Sequence, residues 1–277
     1  FMNAVKLLAQ CLFVSSLLLG ATTLHAADAD PDNNTEIWSK VRKSLFDNRP
    51  ISEKADKIIQ LDTPVRAEDA ATVPVSIKIQ TQQNPSEYVK KVYLLVDKNP
   101  SPIAAVFTFT PDSGRADLET RIRIEEYSYV RAVAEMNDGK LYSVSRYVKA
   151  SGGCSAPAGK DQAEAMSKIG KIKMRLENDV KYNQPNLVQL MVNHPNNSGL
   201  AMDQVTRLFV PAHYVRRVNV TYADKPIMTA DVDFSISENP NFRFYFMPKE
   251  KGVLKAEVED SADKKFNSTL EIKQGAS

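Results

Sequence analysis

Val73-Pro74-Val75-Ser76-Ile77-Lys78-Ile79 places a large apolar residue at every second position. That is the period of a strand with one buried face, because successive strand side chains point to opposite sides. Moving outward, the same alternation recurs at Ile103, Ala105, Phe107 and Phe109, and at Leu118, Thr120, Ile122 and Ile124. Residues 92–96 are an unbroken apolar run, which suits a central strand. Val130, Ala132 and Ala134 lead through Asn137-Asp138-Gly139 into residues 141–148. Asp-Gly supplies the positive φ angles of a tight turn, so this stretch predicts a hairpin. Short strands about every ten residues, with turn chemistry between them, predict an antiparallel β-sandwich.

Before the strands, Trp38, Val41, Leu45 and Phe46 form one apolar face of a short helix starting near Thr35. Asn33 or Asn34 can cap it, and Pro50 stops it. Trp38 is expected to pack on a sheet. After residue 168 the strand pattern resumes, at Ile172, Met174 and Leu176 and at Val188, Leu190 and Val192. It continues at residues 214–222, 227–234, 242–246, 253–258 and 266–272. These make a second sandwich.

Between the two patterns the composition changes. Ala150-Ser151-Gly152-Gly153-Cys154-Ser155-Ala156-Pro157-Ala158-Gly159 has no large apolar residue and cannot build a core. A helical turn is expected at 161–166. The expected organisation is therefore a signal segment at 1–26, a sandwich at 27–150, a flexible linker at 151–168 and a sandwich at 169–277.

The chain has 277 residues, with 36 Lys plus Arg against 34 Asp plus Glu. That near balance argues against nucleic acid or an anionic membrane as the main partner, since either needs a dense basic face. From Met2, the positive Lys6, the apolar run at 7–19 and the small residues ending at Ala26 have the pattern of a secretory signal. The expectations are export, cleavage after Ala26 and no membrane span afterwards. Of two cysteines, Cys11 lies in that segment, leaving Cys154 alone in an oxidising compartment.

A lone exported cysteine can be an inert thiol, an intermolecular bridge or a reactive group. Cys154 has two open readings: an incidental residue, or a thiol on a swinging arm that holds cargo covalently. Lys149 and Lys160 bracket it and could favour the thiolate or be ordinary solvated charges. No P-loop, dinucleotide fingerprint, H-E-x-x-H or C-x-x-C occurs, so no cofactor or metal site is expected. His194 and His213 have no ligand partner at metal spacing, which favours a structural or surface role over metal binding, although a site built from distant residues, or a Cys–His pair, can also meet in space. Arg66, Glu68 and Asp69, with Arg121 and Arg123, could suggest an anion site. Alternation puts both arginines opposite Ile122 and Ile124, which favours a solvated strand face.

Several stretches taken together resemble a known family. Pro64-Val65-Arg66-Ala67-Glu68-Asp69-Ala70, Val96-Asp97-Lys98-Asn99-Pro100-Ser101-Pro102, Tyr129-Val130-Arg131-Ala132-Val133-Ala134-Glu135 and Gly152-Gly153-Cys154 resemble SoxY, the sulfur-carrying subunit of a periplasmic thiosulfate-oxidising system. His194-Pro195, Val210-Pro211-Ala212-His213-Tyr214 and Ile236-Ser237-Glu238-Asn239-Pro240 resemble SoxZ, its partner.

The resemblance implies an all-β protein. It implies two immunoglobulin-like antiparallel sandwiches, a short N-terminal helix and a flexible interdomain linker, with the sandwiches paired within the chain. Cys154 would be the covalent carrier, and Gly152 and Gly153 the flexible arm. In the family the cysteine sits in a C-terminal tail between paired glycines; here it is internal and Ser155-Ala156-Pro157 follows it. The fused form resembles carriers associated with quinoprotein dehydrogenases. The expected function is a periplasmic carrier, not an enzyme, that presents a thiosulfate-like or other thiol-reactive group to sulfur-oxidation or quinoprotein dehydrogenase enzymes. The alternative is a noncatalytic accessory module for such a dehydrogenase, with a dispensable thiol. A thiol enzyme is a third reading, disfavoured because the linker composition offers no rigid pocket.

Overall fold

The alternating segments form two stacked sheets. The computed structural model describes residues 33–157 and 162–273. The expected signal segment and Lys160 lie outside the described residues. Helix α1 (Glu36–Phe46) is followed by β1 (Ile51–Glu53), β2 (Ile59–Asp62), β3 (Val73–Ile79), β4 (Val89–Val96) and β5 (Ile103–Phe109). Then come β6 (Leu118–Ile122), β7 (Ser128–Met136) and β8 (Leu141–Val148). After α2 (Gln162–Ser167), the second half supplies β9 (Ile172–Leu176), β10 (Asn186–Val192), β11 (Val215–Tyr222), β12 (Lys225–Val232), β13 (Asn241–Phe246), β14 (Gly252–Asp260) and β15 (Lys265–Ile272).

One sheet has nine strands in the order β1-β8-β7-β4-β5-β12-β11-β14-β15, the other six in the order β2-β3-β6-β13-β10-β9. Both sheets run through the two halves of the chain. β5 pairs with β12, with Phe107 opposite Ala230, and β6 pairs with β13, with Leu118 opposite Phe244. An exposed strand edge invites uncontrolled pairing, and each half here covers the other's edge. The cores merge as well: Phe107 and Phe242 meet edge to face, their centroids 5.9 Å apart.

The all-β class and the short N-terminal helix are as the sequence predicts. Three local readings need correction. The helix cap is Thr35, whose hydroxyl accepts from the Trp38 N–H at 3.0 Å, not Asn33 or Asn34. The same hydroxyl donates to Asp97 at 2.9 Å, and that contact selects it over the asparagines. The predicted β7–β8 hairpin forms, but in its turn only Gly139 has positive φ (89°), and the Met136 N–H to the Lys140 carbonyl closes it. The short β1 and β2 escaped the sequence reading, and β1 runs parallel to β8.

Trp38 and Phe46 lie on the outer face of the nine-stranded sheet against Tyr93, Leu95, Val133 and Leu141. This explains the unbroken apolar run of β4: its inner face meets the main core and its outer face meets the helix. Burying roughly 200 Å² of indole is worth about 5 kcal/mol at 25 cal per Å². Among the described residues no helix is long and apolar enough to cross a membrane.

Candidate functional site

The segment expected to swing freely is docked. β8 leads into it, and its backbone continues hydrogen bonding after the strand ends. The Gly152 N–H donates to the Glu125 carbonyl at 2.8 Å, and the Gly153 N–H to the Ile124 carbonyl at 2.9 Å. Gly152 has φ +79°, a conformation that a Cβ would strain. At Gly153 the constraint is space, since a Cβ would sit 2.0 Å from the Ala70 carbonyl oxygen. That oxygen is fixed by the Ile124 N–H at 2.9 Å, so the surrounding backbone has little freedom to yield.

Glu125 closes the arm down. One carboxylate oxygen accepts the N–H groups of Cys154 (2.8 Å) and Ser155 (3.0 Å), and the other accepts the Ser155 hydroxyl (2.7 Å). From the second half, the Ser198 hydroxyl donates to the Cys154 carbonyl at 2.5 Å. Cys154 is left only 1% exposed. Burial, and next the Glu125 carboxylate, push its thiol pKa up to about 12; Asp233 adds to this and Arg123 opposes it. The docked thiol is therefore a poor nucleophile, because the thiolate is the reacting form.

Arg123 was expected on a solvated strand face. Instead β6 ends at Ile122 and Arg123 turns inward, 8% exposed. Its Nη1 donates to the carbonyls of Asn196, Phe234 and Ile236, each at 2.8 Å. The reason is local: the Arg123 N–H is drawn to the Ser235 carbonyl (2.7 Å), which leads the chain into the second half. Asn99 fixes the same corner, its Oδ1 taking the Glu125 N–H (2.9 Å) and its Nδ2 donating to the Arg123 carbonyl (2.8 Å). Arg121 stays on the outer face as expected, near the Asn239 carbonyl (3.4 Å). Arg66 and Glu68 are exposed, and Asp69 caps its own turn through the Ala71 N–H and the Thr72 hydroxyl.

A cavity of about 510 Å³ opens beside Cys154. Asp69, Arg123, Glu238 and Asn239 line it, with Asn197 and Ser198 from the loop that holds the arm.

That loop rests on a cluster the sequence separates widely. His213 Nε2 lies 2.8 Å from Asp260 Oδ2, and His194 Nε2 3.5 Å from the same oxygen. The three ligand atoms fall within 4.8 Å of one another, close enough to consider a metal. The hydrogen bonding points elsewhere. His194 Nδ1 accepts the Asn196 N–H at 3.0 Å, so the neutral ring carries its proton on Nε2, where a metal would have to bind. The cluster reads as a structural support that ties residues 194–198 to β14. Burial works against the Asp260 charge, but the N–H groups of Lys264 and Ala262, together with His213, hold its pKa below the usual carboxylate value.

Burial, with His213 beside it, lowers the His194 pKa from 6.5 to about 4. The unfolded chain thus binds a proton near pH 6.5 that the folded chain refuses until about pH 4. Within that window the unfolded state holds more protons, so stability falls as pH falls, by up to about 3 kcal/mol. Urea unfolding at about pH 7 and about pH 4.5 checks this; equal stability at both would remove the assignment.

Sequence reasoning missed Glu125 and Ser198. Glu125 carries no motif. Ser198 sits in a turn-rich run whose signal says loop, not contact.

Comparison with known proteins finds two family matches along the chain. Residues 42–154 match the family described as sulfur oxidation protein SoxY, and residues 174–271 match sulphur oxidation protein SoxZ. The structure of the sulfur carrier protein SoxY from Chlorobium limicola f thiosulfatophilum is 26% identical, covering 40% of this chain and 93% of that one, with a TM-score of 0.34. A superoxide reductase (neelaredoxin) from Ignicoccus hospitalis is 12% identical, covering 36% and 94% respectively, with a TM-score of 0.32. No curated protein matches the chain.

Proposed function

Because this chain belongs to the SoxY and SoxZ families as a fusion of the two, we propose that it is a covalent carrier of sulfur oxidation, with its cargo held on Cys154. The observation that carries the reading is the placement of that cysteine. It closes the SoxY-matching segment, and a cavity with room for a small adduct opens beside it. The arm is held by two backbone hydrogen bonds, one carboxylate and one hydroxyl, all beyond the end of β8, and such contacts can open without unfolding either sheet.

In this reading the docked arm is the resting state, and release from Glu125 frees the thiol. The thiolate then attacks a sulfur electrophile; a new S–S bond forms and the leaving sulfur departs with the electron pair of the broken bond. In this reading, reaction at the cargo belongs to partner enzymes. An exposed apolar surface lies nearby. The loop from 199 to 210 turns tightly through the Asp203 N–H to the Leu208 carbonyl (2.9 Å) and presents Val205, Leu208 and Phe209 to solvent. Ala201 in this loop also lines the cavity, so a partner seated on it would stand next to the arm. The proposed compartment is the periplasm. The proposed partners are sulfur-oxidation or quinoprotein dehydrogenase enzymes.

Cys154→Ser is expected to keep the fold and lose all loading by partner enzymes, read by intact mass. Loading retained in that variant would sink the assignment. The burial of the thiol favours one second reading, a noncatalytic accessory module in which Cys154 is structural. Full biological activity of Cys154→Ser, with partner binding intact, would select it.

A further inference from the structure

The surroundings of the docked thiol are unbalanced in charge. Asp69, Glu164 and Glu238 line the cavity, against Arg123 and Lys168. Lys168 is ion-paired with Glu164. Arg123 is committed to three backbone carbonyls, and Asp69 and Glu238 both act on its charge. Glu125 bonds the arm on either side of the Cys154–Ser155 peptide, and Asp233 also bears on the sulfur. Five carboxylates thus surround two cations near the shielded sulfur; Asp69, Glu164 and Lys168 are exposed, so the half-buried Glu125, Asp233 and Glu238 are screened least. Size does not limit the cargo. The cavity's 510 Å³ exceeds a small adduct many times over, since a water takes about 30 Å³ of liquid.

We propose that the docked position sorts cargo by charge: an uncharged group on Cys154 stays sheltered in the cavity, and an anionic group drives the arm out to where a partner can reach it. The uncharged class includes a mixed disulfide with a neutral thiol. The anionic class includes an S-sulfonate or any other sulfur oxyanion adduct. Glu125, Glu238 and Asp69 are the residues that set the preference. Loading with an anion then releases the arm, and removal of the charge returns it. The inference rests on the reading of Cys154 as a carrier.

Iodoacetamide and iodoacetate test it on the full chain. Each is displaced at carbon by the thiolate with loss of iodide, leaving adducts of nearly equal size, one neutral and one anionic. Complete modification is verified by intact mass. Hydrogen exchange is then followed at the amides of residues 152–155, all of which donate hydrogen bonds in the docked arm. The carbamidomethyl protein is expected to keep the slow exchange of the unmodified chain. The carboxymethyl protein is expected to exchange about tenfold faster, because a like-charge contact with half-buried carboxylates is worth roughly that factor. Glu238→Gln should narrow the gap. Equal exchange of the two adducts, or slower exchange of the carboxymethyl form through an ion pair with Arg123, overturns the proposal. The adducts are made chemically, so this result stands apart from whether partners load Cys154; a cysteine never loaded in its native setting would defeat the carrier reading and leave the exchange ratio intact.

Discussion

Gly153→Ala is expected to raise the alkylation rate of Cys154 at about pH 8 by two to three orders of magnitude, roughly the thousandfold gain in thiolate as the pKa falls from about 12 to its ordinary value near 9. The added methyl would lie 2.0 Å from the Ala70 carbonyl oxygen and 2.8 Å from the Ile124 nitrogen. The Ile124 N–H donates to that carbonyl at 2.9 Å, so the arm must leave its seat rather than push the two apart. Gly152 is the control. A Cβ there meets only the Ser155 hydroxyl, at 4.0 Å, so the cost is the strain of positive φ and the effect should be smaller. The rate is followed by intact mass against time with iodoacetamide. If the glycine pair served only to make the arm flexible, alanine would leave the rate unchanged or lower it, and that result would remove docking from the account.

Arg123→Met is expected to destabilise the chain by about 2–4 kcal/mol in chemical unfolding, because it removes a donor from three carbonyls at once, of which that of Ile236 keeps the Asn196 amide (2.8 Å). These carbonyls belong to the second half of the chain and Arg123 to the first, so the loss falls on the junction. Arg123→Lys should recover part of it, since one ammonium can serve several acceptors but lacks the reach and shape of the guanidinium. A loss below about 1 kcal/mol would mean that the carbonyls find water and that Arg123 is not a structural rivet.

The strands were legible wherever one face is buried. The period-two stretches at 73–79, 103–109 and 118–122 are strands because their alternate residues enter the shared core. The paired sheets were not legible. A strand edge covered by a partner in sequence reads the same as one covered across 120 residues, and nothing in β5 names β12 as its neighbour. At the site, Cys154 and its glycines stood out by composition, and so did their likeness to a carrier arm. The docked state did not. It depends on Glu125, a turn residue without motif, and on the absent Cβ of Gly153, which composition reads as freedom and the structure uses as clearance. Arg123 misled because alternation was extended one residue past the end of β6. His194, His213 and Asp260 were separately visible, but their meeting is a property of the fold.

The most direct test of the carrier claim is the intact mass of the chain purified from its native compartment, taken with and without reductant. The account predicts a reductant-labile adduct that maps to Cys154. A bare thiol in every preparation, including those in which partner enzymes are turning over, would contradict it.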